Sequence, residues 1–417
     1  MNDWDFSPPP QADLGDHDVR PVGRHLDGKR VAMLVSGGIA AMKTPLLARA
    51  LRKQGASVQA FVSSEALRYV TVDALEWSTR EKVVVELSPD AEHLSDGARF
   101  DAYLLPQATY NTINKMAHGI ADGVLTSTLA SALGRMERGD CAVLVAPTMH
   151  GSMHTSILTE SLRRLAAMGV RIVKPREDYG KHNMPDDAVL VAQVSRAVSR
   201  SPLRGQRILV TGGPTPVPID GVRRIVTRFT GQMGMAIASE LYHRGADALL
   251  LHGSSGHPPP SHLPHEIAYT YADYRRRVHE LLAEGSWAAG VFAAAVADYQ
   301  PKHPQLGKIP SGRTDFTIEL EQTAKVIEEV RRDHPALPMV TFKYEEGRSR
   351  EELLAVAEKR LAKYQAVVAN RGEEIVSGQP HVAWFCSSGH EPRRLAGRDT
   401  IARAIADFLE ELAAGQP

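Results

Sequence analysis

Short apolar runs alternate with helical patterns along most of the chain, and this order constrains the fold more than any other feature. The first cycle reads RVAMLVS at 30–36, KTPLLARALRKQG at 43–55 and SVQAFVS at 57–63. Strands that alternate with amphipathic helices pair in parallel, because each crossover helix returns the chain to the same end of the sheet. The pattern therefore predicts an α/β fold made of doubly wound parallel sheets.

The same cycle starts twice, which divides the chain into two domains. It continues to about residue 198, where the segment SRSPLRGQ at 199–206 has the composition of a linker, and it restarts with RILVTGGPT. A chain of 417 residues also exceeds what one hydrophobic core usually supports. We predict a disordered, proline-rich tail at 1–28, a first domain at 29–198 and a second domain at 207–417.

Composition excludes several classes of partner. The 49 lysines and arginines balance the 49 aspartates and glutamates, so no net field favours nucleic acid or a membrane surface. No run of about 18 apolar residues is present that could span a bilayer. The two cysteines, Cys141 and Cys386, lie in or beside apolar runs, which favours buried thiols in a reducing compartment. We expect a cytoplasmic protein with small-molecule substrates.

Two segments of the first half place hydrogen-bond donors at strand ends. VSGGIAAMK at 35–43 follows a strand and opens a helix, so its backbone N–H groups are suited to a phosphate. A glycine turn with a purely steric role is the alternative. The hydroxyls of Ser63 and Ser64 follow the next strand, on the edge where open α/β sheets bind ligands. Together the two segments favour a phosphate-bearing ligand.

These segments, with EHLSDGARFDAYLLPQATYNTINKMAHGIADGVL at 92–125, resemble the flavin-containing cysteine decarboxylases. The chain from about residue 29 to 410 resembles the bifunctional phosphopantothenoylcysteine decarboxylase/phosphopantothenate–cysteine ligases of coenzyme A synthesis. The resemblance implies a flavodoxin-like FMN domain followed by a Rossmann-like ligase domain, in a homo-oligomer of trimeric flavin domains and dimeric ligase domains. It implies FMN contacts at Ser36, Gly37, Gly38, Ile39, Ser63, Ser64, Thr109, Asn111 and Thr112.

His93 matches the catalytic histidine of these decarboxylases, eight residues before Asp101. From composition alone it is a surface histidine in an acidic loop. Histidine suits proton transfer at neutral pH because its unperturbed pKa is about 6.5. By the resemblance, FMN carries the redox step: the cysteine thiol is oxidised, the thioaldehyde stabilises the carbanion left by CO₂ loss, and the electrons are then returned.

The segment PTMHGSMH at 147–154 resembles the family motif P-x-M-N-x-x-M-W/Y. His150 replaces the asparagine that holds the substrate carboxylate, and His154 replaces the aromatic residue. A metal site would need a third ligand, and none lies at suitable spacing. A structural edge of the core is a second alternative. We favour a substrate clamp of Met149, His150 and Met153, because an imidazole can donate to a carboxylate, and we predict no metal ligands.

The flap segment KPREDYGKHNMPDD at 174–187 departs from the family, because it has no cysteine where the motif A-C-G-x-x-G carries a proton donor. Tyr179, Lys181 and His182 are the candidate replacements. Three outcomes stay open for the first domain: decarboxylation that stops at an enethiol, activity on another substrate, or flavin binding alone.

The second half opens with VTGGPTPVPIDGVRRIVTRFTGQMG at 210–234, a long motif of the ligase domain. A strand, a glycine-rich turn with hydroxyls at Thr211 and Thr215, and a helix that begins near Met233 suit triphosphate and acyl-phosphate groups. By the resemblance, Gly213, Pro214 and Thr215 bind substrate.

Other ligase residues are scattered along the second half. The resemblance implies nucleotide contacts for Asp298, Lys325, Phe342, Lys359 and Lys363, and catalytic roles for Lys308 and Thr227. A lysine pair four residues apart, taken alone, is typical of a solvated helix face. Thr227 stands where the family has an asparagine, and EQTAK at 321–325 replaces a K-x-P-D stretch. The nucleotide is CTP or ATP with Mg²⁺.

Three functions remain. The first is the two-step coenzyme A enzyme, which joins 4'-phosphopantothenate to cysteine and decarboxylates the product. The second is a diverged paralogue that uses another acid and amine, and the third is a flavin-binding protein without activity. A nicotinamide dehydrogenase is disfavoured, because neither glycine turn has the G-x-G-x-x-G spacing.

Overall fold

The computed structural model describes residues 7–11, 13–94, 99–312, 315–375 and 378–415. Its contacts divide the chain into a first unit, Met1–Ser199, and a second unit, Arg200–Pro417. The predicted linker at 199–206 lies at this division. Within the described ranges, no helix is both long enough and apolar enough to cross a membrane.

The first unit is a parallel five-stranded sheet in the order β2-β1-β3-β4-β6, with helices on both faces. Its main strands and helices are β1 Arg30–Val35, α1 Thr44–Arg52, β2 Ser57–Val62, α2 Val72–Thr79, β3 Ala102–Ala108, α3 Tyr110–Ala117, α4 Val124–Glu137, β4 Ala142–Pro147, α5 Ser156–Ala167, β6 Arg171–Ile172 and α6 Asp187–Val198. The alternating order read from the sequence is therefore present in the fold.

Each face of this sheet carries its own core, which explains the continuous apolar runs. Along β1, Met33 packs with α1 and α6 on one face, while Leu34 packs with α3, α4 and α5 on the other. Both side chains are fully buried. Strands covered on both faces are uniformly apolar, as parallel strands in α/β proteins usually are. The strand order reverses between β1 and β3, and this switch point opens a crevice at their carboxyl ends.

A small antiparallel sheet lies beyond these carboxyl ends. It consists of β5 Met149–His150, β7 Arg176–Asp178 and β8 Lys181–Asn183. We call β7, β8 and their turn the flap hairpin. Tyr179 and Gly180 form the turn with φ of 50° and 65°, and two central residues with positive φ are the mark of the type I′ hairpin turn. β8 also pairs with β5, so the flap hairpin is attached to the predicted clamp.

The segment before β1 differs from the disordered tail expected for 1–28. Leu26 is fully buried, and the Asp18 carboxylate accepts a hydrogen bond of 3.0 Å from Arg80. The Arg49 guanidinium lies 4.5 Å from the centre of the Trp77 ring, which also contacts His17. A polar, proline-rich composition did not reveal these contacts, because they depend on an arginine and aromatic surface on α1 and α2. Residues 1–6 and 12 lie outside the described residues.

The second unit is an eight-stranded sheet in the order β13-β12-β9-β14-β17-β18-β19-β20. Its elements, with two short pairs β10–β11 and β15–β16, are β9 Arg207–Gly212, β10 Val217–Pro218, β11 Arg224–Ile225, α7 Gln232–His243, β12 Asp247–Gly253, β13 His265–Ala268, α8 Tyr271–Ala283, β14 Ala289–Phe292, β15 Tyr299–Pro301, β16 Leu320–Gln322, α9 Val326–Asp333, β17 Met339–Glu345, α10 Arg350–Leu361, β18 Ala366–Arg371, β19 Val382–Ser387, β20 Arg393–Ala396 and α11 Arg398–Ala414.

The α/β prediction is confirmed for both units, with one correction in the second. β19 pairs antiparallel with β18, and β20 pairs antiparallel with β19, so this sheet is not parallel throughout. The physical reason is the connection between the strands. A parallel pair needs a crossover of about a dozen residues or more, usually a helix, whereas β19 and β20 are separated by the short turn 388–392.

Candidate functional site

A cavity of about 1280 Å³ lies at the carboxyl ends of the first unit's strands. Ligand pockets usually measure about 300–1,000 Å³, so this cavity has room for a cofactor together with a substrate. It brings together every predicted flavin and clamp residue except Ser36: Gly37, Gly38, Ile39, Ser63, Ser64, Thr109, Asn111, Thr112, Met149, His150 and Met153. Ser36 is buried behind the wall, where its hydroxyl donates to the Gln107 carbonyl over 2.5 Å.

The glycine turn after β1 approaches the next loop too closely for a side chain. A Cβ atom on Gly37 would lie 2.4 Å from the Cβ of Glu65. Ser63 caps the short 3-10 turn that contains Glu65, accepting a hydrogen bond from the Ala66 N–H. Thr109 caps α3 in the same way, with the Thr112 N–H as its donor. The sequence therefore places the start of two helical segments around one volume, where N–H groups favour an anion.

Gln107 is a cavity residue that the sequence analysis missed. It sits near the end of β3, is 1% exposed and lines the cavity. Its side-chain Nε2 donates to the Ser36 carbonyl over 3.4 Å, whereas its Oε1 has no hydrogen-bond partner among the described residues. A buried acceptor without a donor costs about 1–3 kcal/mol, so this oxygen fits a ligand that offers an N–H or O–H. The available signal was an amide within an otherwise apolar strand.

Another part of the cavity lining, from the end of α3 and from residues 121–127 at the start of α4, was also missed. Lys115 and Asp122 belong to it and form an ion pair with Nζ and Oδ2 2.6 Å apart. The hydrogen bond from Lys115 lowers the pKa of the Asp122 carboxyl, and a bond from Thr126 adds to this effect. This part of the lining is therefore polar, and the charges of Lys115 and Asp122 offset each other.

The clamp and the flap hairpin bring His150 and His182 to the cavity lining, and His154 contacts His182. His154 Nδ1 and His182 Nε2 are 2.9 Å apart, and the two ring centres are 4.9 Å apart. His150 Nδ1 lies 2.8 Å from the Ser152 hydroxyl. In the described part of the chain, no group of three or more His, Cys, Asp or Glu side chains is arranged to hold a metal ion.

The three candidate proton donors of the flap occupy different positions. Tyr179 lies at the hairpin tip and is 90% exposed, outside the cavity lining. Lys181 and His182 both line the cavity. They are consecutive residues of β8, so their side chains lie on opposite faces of the small sheet. Lys181 pairs with His150, and His182 pairs with Met149.

His93 lies in the turn 92–94 and is not among the residues that line the cavity. Its Nδ1 is buried and has no hydrogen-bond partner within the described ranges. The residues that follow it, 95–98, lie outside those ranges. The structure thus does not bring His93 to the other predicted site residues, and its catalytic role stays a prediction.

The second unit has a glycine cradle at the carboxyl ends of β9 and β12, formed by Gly212, Gly213, Gly231, Gly234 and Gly253. A Cβ on Gly231 would lie 2.7 Å from the Gly213 Cα, and one on Gly234 would lie 2.7 Å from the Gly212 Cα. Gly213 has a φ of 80° and a hypothetical Cβ 2.9 Å from the Gly253 backbone. Gly231 also precedes α7, so the cradle presents N–H groups at a helix start.

The two threonines of this turn differ from the expectation. Thr215 is buried and its Oγ1 accepts a hydrogen bond of 2.9 Å from the Ala297 N–H. Thr211 Oγ1 accepts from the Ala294 N–H and from the Tyr274 hydroxyl, each over 3.3 Å. Burial raises the pKa of Tyr274 to about 12. Both threonine hydroxyls therefore hold the glycine turn against the segment after β14 and are occupied by the protein itself.

Asp298 and Lys325 are brought together. Their side chains form an ion pair, and the Thr323 N–H donates to the Asp298 carbonyl over 2.9 Å. Both residues are exposed. The sequence predicted a nucleotide contact for each of them but not that they pair.

Lys308 is exposed in a loop that a buried aspartate holds in place. Asp220 is 4% exposed and accepts hydrogen bonds from the Ile309 N–H over 3.0 Å, from the N–H groups of Val222 and Arg223, and from the Arg223 guanidinium. The bond from Ile309 is the main cause that lowers the pKa of Asp220 well below its usual range. Asp220 lay within the quoted motif, yet sequence reasoning did not single it out.

The remaining predicted residues lie on separate elements. Phe342 is half-buried on β17, Lys359 is exposed near the end of α10, and Lys363 is exposed just beyond it. Thr227 follows β11, and its hydroxyl is buried without a partner among the residues described. Their nucleotide and catalytic roles stay predictions.

Comparison with known proteins assigns both units to families. Residues 203–412 match the family model described as DNA/pantothenate metabolism flavoprotein C-terminal domain, and residues 19–199 match the model described as Flavoprotein. A coenzyme A biosynthesis bifunctional protein CoaBC from Thermococcus kodakarensis is 34% identical over 355 residues, which cover 83% of this chain and 86% of that protein. The CoaBC protein from Bacillus subtilis is 29% identical over 411 residues, covering 93% and 98%.

Solved structures match each half separately. The C-terminal domain of a CoaBC protein is 25% identical with a TM-score of 0.43, over 52% of this chain and 100% of that chain. The FMN-dependent cysteine decarboxylase SpaF is 26% identical with a TM-score of 0.37, over 42% and 97%. With a flavoprotein unit, a pantothenate-metabolism unit and full-length relatives in the same order, the chain belongs to the family of bifunctional coenzyme A biosynthesis enzymes, which combine a flavin-dependent decarboxylase with a ligase.

Proposed function

We propose that the second unit joins 4'-phosphopantothenate to cysteine at the expense of a nucleoside triphosphate, and that the first unit decarboxylates the product to 4'-phosphopantetheine with FMN. The observation that carries this proposal is the cavity of the first unit. Residues from four separate segments, predicted to bind flavin or substrate, meet around one volume.

The residues around this cavity fit FMN. The glycine turn Gly37–Gly38 and the start of α3 at Thr109 offer backbone N–H groups for its phosphate. Gln107 Oε1, which lacks a donor among the described residues, can accept from a flavin N–H. Bound FMN supplies the two-electron redox chemistry that the side chains of the protein lack. The protein binds and orients FMN and the substrate.

His150 is suited to hold the substrate carboxylate. The Ser152 N–H donates to His150 Nδ1 over 3.2 Å, so Nδ1 acts as the acceptor. The proton of the neutral ring is then on Nε2. An Nε2–H at the cavity edge can donate to a carboxylate, and Met149 and Met153 line the cavity beside it.

For the ligase, the glycine cradle binds the phosphates of CTP or ATP with Mg²⁺. Backbone N–H groups at the start of α7 face the anion, with Asp298, Lys325, Phe342, Lys359 and Lys363 around the nucleotide. Lys308 steadies the charge that develops on the transferred group, and Thr227 contacts the reacting acid.

Two further features belong to the proposal. The first unit forms trimers and the second forms dimers, and exposed Ile39, Met42 and Leu46 offer an apolar face in the first unit. The protein works in the cytoplasm, where thiols stay reduced. Cys141 and Cys386 are unpaired, and burial raises the pKa of each to about 11.

The test begins with the purified full-length protein, which we expect to be yellow with an FMN spectrum. It is incubated with 4'-phosphopantothenate, cysteine, Mg²⁺ and either CTP or ATP, and products are weighed by mass spectrometry. Formation of 4'-phosphopantetheine supports both steps. Colourless protein without turnover contradicts them. Ligation with no loss of CO₂ supports the alternative of a diverged paralogue, which the cysteine-free flap hairpin favours.

A further inference from the structure

A decarboxylase needs an acid in its cavity, because the electron pair left by CO₂ loss must finally take up a proton. The titratable side chains that line the cavity are not equally placed for this task. Lys115 is bound to Asp122, and Lys181 lies on the face of the small sheet that carries the substrate clamp residue His150 and Asp178. His182 differs from these, because it is hydrogen-bonded to a second imidazole.

The pair His154–His182 joins residues that are 28 positions apart in the chain. β8 carries His182, and the clamp segment after β5 carries His154. The pairing of β5 with β8 sets His182 opposite Met149, which is 8% exposed. The two rings therefore meet where the flap hairpin attaches to the clamp, at the edge of the cavity.

The hydrogen bonds around the pair fix where its protons lie. The Thr159 hydroxyl donates to the Thr155 carbonyl over 3.2 Å, so its oxygen accepts from His154 Nε2 at 3.2 Å. A neutral His154 then has its lone pair on Nδ1. His182 Nε2–H donates to that lone pair over 2.9 Å, which leaves His182 Nδ1 as the atom that gains and loses a proton.

His182 Nδ1 is buried and has no hydrogen-bond partner among the described residues. Glu177 pairs with His182 between β7 and β8. The ring of His182, a residue that lines the cavity, thus has one nitrogen held by His154 and a second, buried nitrogen without a partner among the described residues.

We infer that His182 is the acid of the first unit and that His154 is its positioning residue; this assignment rests on the proposed decarboxylation. Loss of CO₂ breaks the bond between the carboxyl carbon and its neighbour, and the electron pair stays on the substrate. The proton on His182 Nδ1 moves to the substrate anion, forming one new bond to hydrogen. The His182 cation becomes a neutral imidazole, which must take up a proton again before the next turnover.

The experiment uses the full-length FMN-loaded protein and 4'-phospho-N-pantothenoylcysteine labelled in its carboxyl group. His182→Gln keeps a hydrogen-bonding side chain but cannot give a proton in this range. We expect CO₂ release in the first turnover to stay within about twofold of the wild type. Formation of the final thiol should fall about 100-fold, the scale of general acid catalysis. His118→Gln, the same change at an exposed histidine outside the cavity lining, is the matched control and should match the wild type.

A second readout does not depend on turnover. In protein labelled with ¹⁵N-histidine, NMR should find the neutral His182 ring protonated on Nε2, and His154→Phe should remove this preference while leaving the FMN absorbance in place. Neutral His182 protonated on Nδ1 would overturn the inference. So would thiol formation by His182→Gln at the wild-type rate, or loss of CO₂ release in that variant. Absence of CO₂ release from the wild type would instead contradict the proposed function, while NMR still reports on the pair.

Discussion

The two candidate sites lie at equivalent places on their sheets, the carboxyl ends of the first strands, yet they are built differently. In the first unit, side chains from four segments surround an open cavity. In the second unit, the hydroxyls of Thr211 and Thr215 bind the backbone of the protein itself, and five glycines bring backbone segments into close approach. Side chains therefore form much of the first site, beside the backbone N–H groups of its glycine turn, whereas the second site is shaped mainly by the path of its backbone.

The largest effect is expected from His93, the predicted catalytic histidine of the first unit, which does not line the cavity. If a proton-transfer role is correct, His93→Asn should reduce CO₂ release by about 100-fold to 10,000-fold. The FMN absorbance should remain, because the cavity residues are unchanged. Release of labelled CO₂ measures this effect. An unchanged rate would show that the cavity is complete without His93.

The backbone nature of the second site is tested at Gly213. Gly213→Ala adds a Cβ 2.9 Å from the Gly253 backbone at a φ of 80°, so it suffers both crowding and backbone strain. We expect the free energy of unfolding of the second unit to fall by about 3 kcal/mol, together with loss of nucleotide binding. Denaturant unfolding and nucleotide titration measure the two effects.

Gly205→Ala is the matched control for this substitution. Gly205 has a φ of 76° with nothing within 4 Å of a hypothetical Cβ, so it tests backbone strain without crowding. The control should cost about 1 kcal/mol and leave nucleotide binding unchanged. Equal effects of the two substitutions would mean that the close approach in the cradle is unimportant.

Asp220 combines both features of the comparison, because its side chain binds backbone N–H groups and so holds the Lys308 loop. Asp220→Asn weakens the bonds to Ile309 and Arg223 that hold the Lys308 loop, and we expect the ligase kcat to fall about tenfold. The decarboxylase rate of the first unit is the internal control. A wild-type ligase kcat in this variant would show that catalysis does not depend on the hydrogen bonds that hold the Lys308 loop.

The pH dependence of stability tests the same carboxylate. The folded-state pKa of Asp220 is lowered below its ordinary value, so its ionised form stabilises the fold above about pH 3.9. That contribution is lost as the pH falls below this value toward the folded-state pKa. The wild type should therefore be more stable than Asp220→Asn at pH 7, and the difference should shrink in acid. A constant difference down to pH 2 would contradict this account.

The difference between the two sites also explains how much of each could be predicted from the sequence. The convergence of the predicted flavin and clamp residues on one cavity was predictable, because short motifs at neighbouring strand ends must meet at one edge of a parallel sheet. Gln107 was missed because it is one amide within an apolar strand, and its unpaired oxygen is visible only in three dimensions. The His154–His182 pair and the Asp220 anchor join distant segments, so no local pattern reveals them. The nucleotide residues of the second unit stay predictions, because they lie on separate elements.

A smaller effect is expected at Gln107. Gln107→Leu removes a buried oxygen that has no partner in the described part of the chain, and also the weak hydrogen bond from Nε2 to the Ser36 carbonyl. The two effects oppose each other, so the stability of the FMN-free protein should change by less than about 1 kcal/mol. FMN affinity should fall about tenfold if this oxygen accepts a flavin N–H. Gln54→Leu is the control, because its Oε1 is likewise buried without a described partner but Gln54 does not line the cavity. Equal FMN affinity in both variants would remove Gln107 from the flavin site.

The smallest effect concerns the two cysteine thiols, Cys141 half-buried and Cys386 buried, which report on each unit separately. Burial raises the pKa of Cys141 and of Cys386 to about 11, so little reactive thiolate exists at pH 8 in the folded protein. Cys141 belongs to the first unit and Cys386 to the second. A thiol reagent should therefore label neither residue in the native wild type at pH 8, and labelling should increase as the pH approaches 11.

In Gly213→Ala at intermediate denaturant, Cys386 should react before Cys141, because the substitution loosens the second unit alone. Peptide mass spectrometry of the labelled protein identifies the order, and simultaneous labelling would show that the two units unfold as one.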